Sequence, residues 1–292
     1  MAALLEKIRS IFSPKTVPSP ERKRPERRDV AAPEDVHQIL IGTGQSTGIE
    51  RSHNEDALLV INSAAAGDPA TPNFGLFVVA DGMGGHRAGE VASAVSIRTV
   101  ARRITEQTIV QMLGADSDLE MEPLQDLLRS AIEEANEAVV EQVPGGGTTL
   151  TAAVMLGRQL TIGHVGDSRA YLLQDGRAEV LTRDHSLVER LRELGQLTAE
   201  EAAIHPQRNV LYRAIGQGAN LEVDVTSLPT PHNGYLMICS DGLWGVIGDE
   251  RMKQIIAEAP SPQIACEQMV DAANAAGGPD NITVILVRFP ED

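Results

Sequence analysis

The sequence of 292 residues contains only two cysteines, Cys239 and Cys266. Two thiols cannot form the disulfide framework of a small secreted domain, nor can they supply the four thiolates of the commonest structural zinc sites. Such sparing use of cysteine indicates a reducing compartment, and we expect a cytoplasmic protein.

Long apolar runs are absent as well. No segment approaches the ~20 apolar residues that a membrane-spanning helix needs. The amino-terminal stretch MAALLEKIRSIF has too short an apolar core for a secretory signal, and no small-residue cleavage site follows it. The sequence therefore predicts a soluble protein without a transmembrane segment.

Positive charge is scarce in most of the chain. The sequence has 25 Lys and Arg against 41 Asp and Glu, which gives a formal net charge of −16. Residues 1–36 hold eight basic and six acidic side chains, so residues 37–292 hold 17 basic and 35 acidic ones. Phosphate backbones repel such an acidic surface at long range, which argues against nucleic acid as a partner.

The composition changes near residue 36. Five prolines and a basic run lie between residues 13 and 35 among few apolar residues, and this predicts a flexible linker. Before the linker, apolar residues share one face of a short amphipathic helix. Twelve residues make a marginal helix, so a membrane or partner contact and a frayed or packed terminus both stay open. Residues 37–290 are predicted to form one domain.

From residue 37 onward, short apolar runs bounded by turn residues predict strands. These strands cover residues 37–44, 57–62, 75–80, 148–156, 159–165, 169–174, 177–182, 222–228, 235–240 and 281–289. Helices are predicted at 85–113, at 124–139, in the charged stretch 186–209, and twice after residue 240, with Ser261 as the last N-cap. Strand pairs interrupted by blocks of paired helices indicate an α+β protein with antiparallel sheets.

Four aspartates stand where an apolar strand meets a tight turn: Asp81, Asp167, Asp241 and Asp280. Strand ends hold side chains on rigid backbone, and a neighbouring glycine such as Gly82 lets a ligand approach its carbonyl closely. Any one of these residues alone is most often a turn residue that caps its own backbone. Together, in a chain poor in soft ligands, they predict a site for a hard cation such as magnesium, manganese or calcium. The spacing of a calcium-binding EF-hand loop is absent.

Arg51 lies in the stretch TGIERSHNEDA, close to Glu55 and Asp56. An arginine beside two acids is usually part of a surface ion pair that contributes little. Beside a metal cluster, its planar guanidinium would instead grip two phosphate oxygens. The residues alone leave both interpretations open.

Two other motif matches are weak. GQSTG, with Ser46 at its centre, matches the G-x-S-x-G nucleophile elbow, but polar residues lead into a further strand where that motif needs a helix. DGMGG follows a strand and opens a helix, but it lacks the G-x-G-x-x-G spacing of dinucleotide loops and the lysine of a P-loop.

Eight separated motifs occur in the order TGIERSHNEDA, VADGMGGHRAGEVAS, GGTTLTAAVM, HVGDSRAYLL, TRDHS, LYRAIG, CSDGLW and DNITVI. Over residues 40–288 this order resembles the metal-dependent type-2C (PPM family) Ser/Thr protein phosphatases, and DGMGG is similar to the bacterial members. The resemblance implies a four-layer α+β fold in which two antiparallel β-sheets pack as a sandwich with helices on both outer faces. Residues 37–290 would be the catalytic domain.

The resemblance also implies a metal centre with two tightly bound Mn²⁺ or Mg²⁺ ions. Asp81 would bridge the ions, the Gly82 carbonyl would bind one, and Asp241 with Asp280 would bind the other. Asp167, with Asp241, would help to hold a third, weaker ion. A water between two divalent cations loses its proton more easily than bulk water, so it would attack phosphorus directly without a phosphoenzyme.

Other positions acquire expected roles from the same resemblance. Arg51 would grip the substrate phosphate, while Glu55 and Asp56 would support the metal waters. Some family members carry a histidine where this chain has Met83, and a thioether cannot donate a proton. His86 is then the nearest candidate for the general acid, with a metal-bound water and a simple helix-capping role for His86 as alternatives.

The implied activity is hydrolysis of phosphoserine and phosphothreonine on proteins by a monomer that opposes a bacterial Ser/Thr kinase. Residues 186–209 match the variable flap beside the cleft, where substrate selection would lie. The remaining acidity predicts a preference for phosphosites flanked by basic or neutral residues. Two hypotheses of other classes compete: a scaffold that binds phosphoproteins without turnover, and a serine hydrolase that uses Ser46.

Overall fold

The computed structural model describes residues 39–63, 72–84, 87–110 and 122–290. The predicted linker and amphipathic start at residues 1–36 lie outside these ranges, so they stay predictions. The strands are β1 (Leu40–Ser46), β2 (Ala57–Ser63), β3 (Phe74–Ala80), β4 (Gly82–Met83), β5 (Gly147–Thr148), β6 (Leu150–Leu156), β7 (Gln159–Val165), β8 (Arg169–Gln174), β9 (Arg177–Val180), β10 (Asp224–Pro229), β11 (Gly234–Cys239) and β12 (Ile282–Arg288). The helices are α1 (Arg87–Thr105), α2 (Leu124–Gln142), α3 (Leu187–Glu193), α4 (Ala199–Ala203), α5 (Asp241–Glu258) and α6 (Pro262–Ala275).

Ten of these strands form two antiparallel sheets. Sheet I has the order β1-β12-β11-β8-β9, and sheet II has the order β10-β7-β6-β3-β2. The turn between β8 and β9 has positive φ at Asp175 (53°) and Gly176 (72°), which is the geometry that an Asp-Gly hairpin favours. The predicted antiparallel α+β architecture is confirmed.

Three separate hydrophobic clusters show that the sheets and helices form four layers. One cluster lies between sheet II and helices α1 and α2, one between sheet I and helices α5 and α6, and the third between the two sheets. Strand β3 shows the reason in its sequence, FGLFVVA. Phe77 and Val79 point toward sheet I, whereas Leu76 and Val78 pack toward the helices. A strand covered on both faces needs apolar residues at consecutive positions, and all seven residues of β3 are buried.

The element boundaries depart from the sequence prediction at several turns. The predicted strand 148–156 is divided into β5 and β6, because the Thr149 N–H donates to the Asp81 carbonyl (2.8 Å) instead of a ladder partner. The charged stretch 186–209 forms two short helices, and Gly195 with φ 69° follows the first. Helix α1 continues as a π-helical turn, Glu106–Val110. Within the described ranges, no helix combines the length and apolar character that a membrane crossing requires.

Candidate active site

A cavity of about 370 Å³ opens at one end of the sandwich, where strands of both sheets terminate. Asp81 follows β3 of sheet II, Asp167 lies in the turn that leads from β7 to β8, and Asp241 and Asp280 adjoin β11 and β12 of sheet I. The cavity is lined by seven of the sequence-predicted site residues, namely Arg51, Glu55, Asp81, Gly82, Asp167, Asp241 and Asp280, whereas Asp56 is not among its lining residues. His86 lies outside the described residues, so its predicted role stays untested.

Asp81 is fixed through its backbone. Its carbonyl accepts hydrogen bonds from the Thr149 N–H (2.8 Å) and the Thr148 hydroxyl (2.9 Å), and its own N–H donates to Thr149 Oγ1 (3.0 Å). Thr149 Oγ1 in turn lies 2.7 Å from Ser168 Oγ, next to Asp167. The turns that carry Asp81 and Asp167 are therefore linked through the hydroxyl of Thr149, which belongs to the sequence GGTTL.

Close packing of the backbone around residue 82 requires a glycine at this position. A Cβ atom at this position would lie 2.4 Å from the Gly89 carbonyl oxygen and 2.5 Å from the Glu55 carbonyl oxygen. The Gly82 N–H donates to that same Glu55 oxygen (3.2 Å). The glycine lets α1 and the β1–β2 loop approach the turn that carries Asp81.

Burial and mutual repulsion disfavour negative charge in the aspartate cluster. Burial raises the pKa of Asp81 well above its ordinary value, and the charges of Asp56 and Asp241 raise it further. Burial, followed by the charge of Asp280, raises the pKa of Asp241 to about 6. The pKa of Asp167 is also raised, by burial and by the charge of Asp241. Several neighbouring carboxylates that are partly or fully buried cost folding free energy when they ionise without a cation, and a bound cation would offset that cost.

Two buried carboxylate oxygens accept no hydrogen bond from the described residues, namely Oδ1 of Asp241 and Oδ1 of Asp56. The second oxygen of Asp56 is satisfied, since it accepts from the hydroxyls of Ser240 (2.9 Å) and Thr283 (2.6 Å). Native proteins rarely leave such atoms without a partner. An unpartnered oxygen in a donor set made only of oxygens suits a hard divalent cation such as Mg²⁺ or Mn²⁺.

The carboxylates do not by themselves enclose an ion. Among the described residues, no group of three or more His, Cys, Asp or Glu side chains is arranged as a metal-binding cluster. Asp280 is turned toward Arg51, with its Oδ2 2.7 Å from Arg51 Nη2. Magnesium in proteins usually keeps several waters and takes only one or two carboxylates. The open arrangement therefore fits hydrated ions and does not fit a closed structural site.

Arg51 is placed between the cluster and solvent. Its Nη2 lies 2.7 Å from Asp280 Oδ2, and its side chain is 50% exposed. The other oxygen of Asp280 accepts the Asn281 N–H at 2.8 Å. A guanidinium has five N–H donors, and the bond to Asp280 uses only one of them. The remaining donors can bind an anion that enters the cavity.

Asn281 is a positioning residue that the motif analysis did not single out. Its Nδ2 donates to the carbonyls of Thr47 and His53 (both 2.8 Å), and its Oδ1 accepts the Glu55 N–H (2.8 Å). These three bonds attach the loop that carries Arg51 to the residue after Asp280. The sequence signal was the DNITVI motif, in which only the aspartate received a role.

Two further residues hold the turn that carries Asp167, and neither was assigned this role from the sequence. The Trp244 indole N–H donates to the Asp167 carbonyl (3.1 Å). Buried His185 makes two hydrogen bonds to Gly166. The backbone N–H of His185 donates to the Gly166 carbonyl (2.7 Å), and the ring Nδ1 of His185 accepts the Gly166 N–H (3.1 Å). Burial lowers the pKa of His185, which favours the neutral ring that this acceptor role requires. The motifs TRDHS and CSDGLW contain both side chains.

Two other polar residues of the sequence analysis have clear positions. Ser46 ends β1, accepts the Gly48 N–H (3.1 Å) and hydrogen-bonds with Asn274 (3.1 Å). No helix follows it, so the strand–turn–helix geometry of a nucleophile elbow is not present there. His53 lines the cavity, and its Nδ1 lies 2.7 Å from Ser52 Oγ.

Comparison with known proteins gives a consistent result. The family model for Protein phosphatase 2C matches residues 42–282. The serine/threonine phosphatase stp of Listeria welshimeri is 38% identical over 244 residues, which cover 82% of this chain and 91% of that protein.

Solved structures agree with the sequence match. The crystal structure of the Mycobacterium tuberculosis serine/threonine phosphatase PstP/Ppp has a TM-score of 0.72 at 31% identity, covering 87% of this chain and 99% of that one. A crystal structure of the catalytic domain of PstP in complex with two manganese ions has a TM-score of 0.70 at 30% identity, covering 87% of this chain and all of that one.

Proposed function

The chain belongs to the protein phosphatase 2C family and is a protein-serine/threonine phosphatase, and we propose that it hydrolyses phosphoserine and phosphothreonine on proteins in the cavity lined by Asp81 and Asp241. The family is metal-dependent, and the manganese complex of a structural neighbour supports Mn²⁺ or Mg²⁺ as the cofactor. The observation that carries the proposal is the cluster of partly buried aspartates at the end of the sandwich, in which one buried oxygen of Asp241 has no partner among the described residues.

Each site residue has a proposed role that follows from its position. Asp81, the Gly82 carbonyl, Asp241 and Asp280, which line one cavity, would together hold two ions. Asp167 would contribute to a third, weaker site. When bound, the ions would supply Lewis acidity and a water of lowered pKa as the nucleophile for direct attack on phosphorus. Asp81 and Asp167 are held by backbone bonds, which keeps this donor set in place before substrate arrives.

Arg51 would orient the phosphoryl group. Its guanidinium keeps donors available beyond the bond to Asp280, and planar donors of this kind bind two oxygens of a phosphate at once. In the transition state of phosphoryl transfer, negative charge is spread over the three non-bridging oxygens. A fixed cation beside these oxygens therefore stabilises the transition state. Asn281 supports this role indirectly, because it anchors the loop that presents Arg51.

The leaving serine or threonine oxygen requires a proton, and the thioether of Met83 cannot donate one. Two histidines are candidates: His53, which lines the cavity, and His86, the residue that the sequence analysis chose. A metal-bound water is the third source. Separate His53→Gln and His86→Gln variants should be compared through the pH dependence of kcat. Loss of the alkaline limb in one variant identifies the donor, and an unchanged profile in both leaves water in that role.

We also propose that the protein is a cytoplasmic monomer that removes phosphate groups added by a Ser/Thr kinase. Cys239 and Cys266 are both free thiols buried in the core, in agreement with a reducing compartment.

The defining experiment is phosphate release from a phosphothreonine peptide by the full chain with Mn²⁺ and with EDTA. We expect turnover with manganese that disappears with the chelator and in Asp241→Ala. The matched control is Asp175→Ala in the exposed β8–β9 turn, which should keep full turnover. Binding of the phosphopeptide without phosphate release, measured by calorimetry, would favour the scaffold hypothesis and contradict the proposal.

A further inference from the structure

A second cavity, of about 410 Å³, adjoins the aspartate cluster. It lies between the segment α3–α4 and the first turns of α5, and we call it the flap cavity. Its size falls in the range of ~300–1,000 Å³ that is typical of pockets for small ligands. Five residues line both cavities, which makes the two continuous: Arg51, Asp167, Asn209, Asp241 and Asp280.

One wall of the flap cavity is an apolar helix face. Helix α4 contributes Ala199, Ala202 and Ala203, whose spacing of i, i+3 and i+4 places them on the same side of the helix. No residue of α4 is buried, so this face takes no part in the core. Trp244 and Val246 of α5 also line the cavity. Helix α4 therefore presents small apolar side chains to a cavity whose wall also includes the indole ring of Trp244.

Most charged groups around the flap cavity already have partners. Arg169 binds Asp184 through two nitrogens (3.0 and 2.8 Å) and lies over the Trp244 ring, 3.5 Å from its centroid. Arg192 pairs with Glu189 at 2.7 Å. An apolar group that enters the cavity would therefore leave these pairs intact. The other charged lining residues are the exposed Glu50 and Arg208 and the four shared with the first cavity, Arg51, Asp167, Asp241 and Asp280.

Building on the proposed phosphatase function, we propose that the flap cavity is a specificity subsite that receives an apolar side chain two positions from the phosphorylated residue. Side chains alternate along an extended peptide, so residues two apart point the same way at a spacing of ~6.6 Å. A peptide whose phosphate occupies the aspartate cluster would thus present its second neighbour to the adjoining cavity. The acidic balance of the chain disfavours a carboxylate there.

Phosphothreonine peptides with alanine elsewhere and lysine at both ends test this directly. Leucine, alanine or aspartate is placed at position −2 or at position +2, and kcat/KM is measured with the full chain in Mn²⁺. Leucine at one of the two positions should raise kcat/KM about tenfold or more over alanine, mostly through KM, since even one methylene in an apolar pocket is worth roughly tenfold. Equal values for leucine and alanine at both positions would overturn the subsite.

A cavity-filling variant tests the location. Ala202→Leu should reduce the leucine-to-alanine ratio of kcat/KM toward one, because its side chain occupies the space that the substrate needs. Glu200→Leu adds the same residue to an outward position of the same helix and should keep the wild-type ratio. An Ala202→Leu variant with the wild-type ratio would contradict the proposal. Absence of turnover of a small aryl phosphate by wild-type protein would instead contradict the phosphatase function.

Binding has an independent readout, because Trp244 is the only tryptophan of the chain. A peptide with a non-hydrolysable phosphonate and leucine at the preferred position should change the Trp244 emission in a saturable way. The alanine peptide should need about tenfold higher concentration for the same change. If the leucine peptide inhibits competitively without any change in emission, its side chain lies elsewhere and the proposal is wrong.

Discussion

Replacing Asp241 by asparagine should stabilise the metal-free protein. In the folded chain, burial and the neighbouring charge of Asp280 raise the pKa of Asp241 from 3.8 to about 6. At about 1.4 kcal/mol per pH unit, ionisation of this group at neutral pH opposes folding by ~3 kcal/mol. Asparagine has almost the same shape and no charge. It gives up the favourable interaction of an acid with the first turn of α5, ~0.3–1 kcal/mol, so the net gain is about 2 kcal/mol.

The gain should depend on pH in a defined direction. Because the folded-state pKa is raised, the cost of Asp241 is absent below pH 3.8, grows as the pH rises, and is complete above about pH 6. At pH 7.5 in EDTA, the free energy of unfolding of Asp241→Asn should therefore exceed that of wild type by about 2 kcal/mol. For a domain of this size, that difference corresponds to a rise of ~4–8 °C in Tm. At pH 4 the advantage should nearly vanish.

Manganese should reverse the order of the two proteins. An ion that binds only the folded state stabilises it by ~2.7 kcal/mol at a concentration of 100 times its Kd. Wild type keeps this gain and Asp241→Asn loses a ligand, so wild type should become the more stable protein. Thermal and urea unfolding followed by circular dichroism, with Mn²⁺ and with EDTA, measure the difference in stability between the two proteins in each condition.

Asp175→Asn is the matched control, since its exposed turn with φ 53° accepts asparagine without strain. It should change stability little in either buffer. If Asp241→Asn destabilises the metal-free protein at pH 7.5, or if manganese leaves the order unchanged, the aspartate cluster is not an uncompensated metal site.

Four other outcomes follow from the site. Arg51→Ala should raise KM for phosphopeptides about tenfold or more with little change in kcat, because a charge-assisted bond contributes ~1.5–3 kcal/mol; an unchanged KM removes Arg51 from phosphate binding. Gly82→Ala should lower Tm and activity together, since its Cβ meets two carbonyl oxygens and such overpacking costs ~1–3 kcal/mol; normal Tm would refute the clash. Asn281→Ala, which removes three bonds to the Arg51 loop, should raise KM more than it lowers Tm, and a pure stability loss would contradict its positioning role. Acidic residues beside the phosphothreonine should lower kcat/KM, less so at high salt, and no loss would refute charge selection.

The architecture and the meeting of the aspartates were predictable because their causes are local. Apolar runs such as FGLFVVA bounded by turn residues identify buried strands, and each of the four aspartates lies beside a strand end. In this sandwich those ends lie at one edge, which brings Asp81 and Asp241 to the same cavity although 160 residues separate them in the sequence.

The supporting contacts could not be read from the sequence because they depend on tertiary positions. The carbonyls of Thr47 and His53 reach Asn281 across more than 220 residues, and nothing in local propensity marks an asparagine as their donor. The division of strand 148–156 has a similar origin, since a bond to Asp81 competes with the ladder at Thr149. Local patterns predict the elements, whereas the bonds that hold the site require the assembled layers.

The site spans the plane on which the two sheets pack. Asp81 follows a strand of one sheet, Asp241 and Asp280 adjoin strands of the other, and Asp167 lies on the segment that crosses between them. An ion held by Asp81 and Asp241 would therefore connect two layers that pack mainly through apolar side chains, beside the hydrogen bonds of Asp56 to Ser240 and Thr283. Loading the site should slow amide hydrogen exchange in β3 and β12 together, although these strands share no ladder. The stability of the packing between the two sheets would then depend on whether the metal site is loaded.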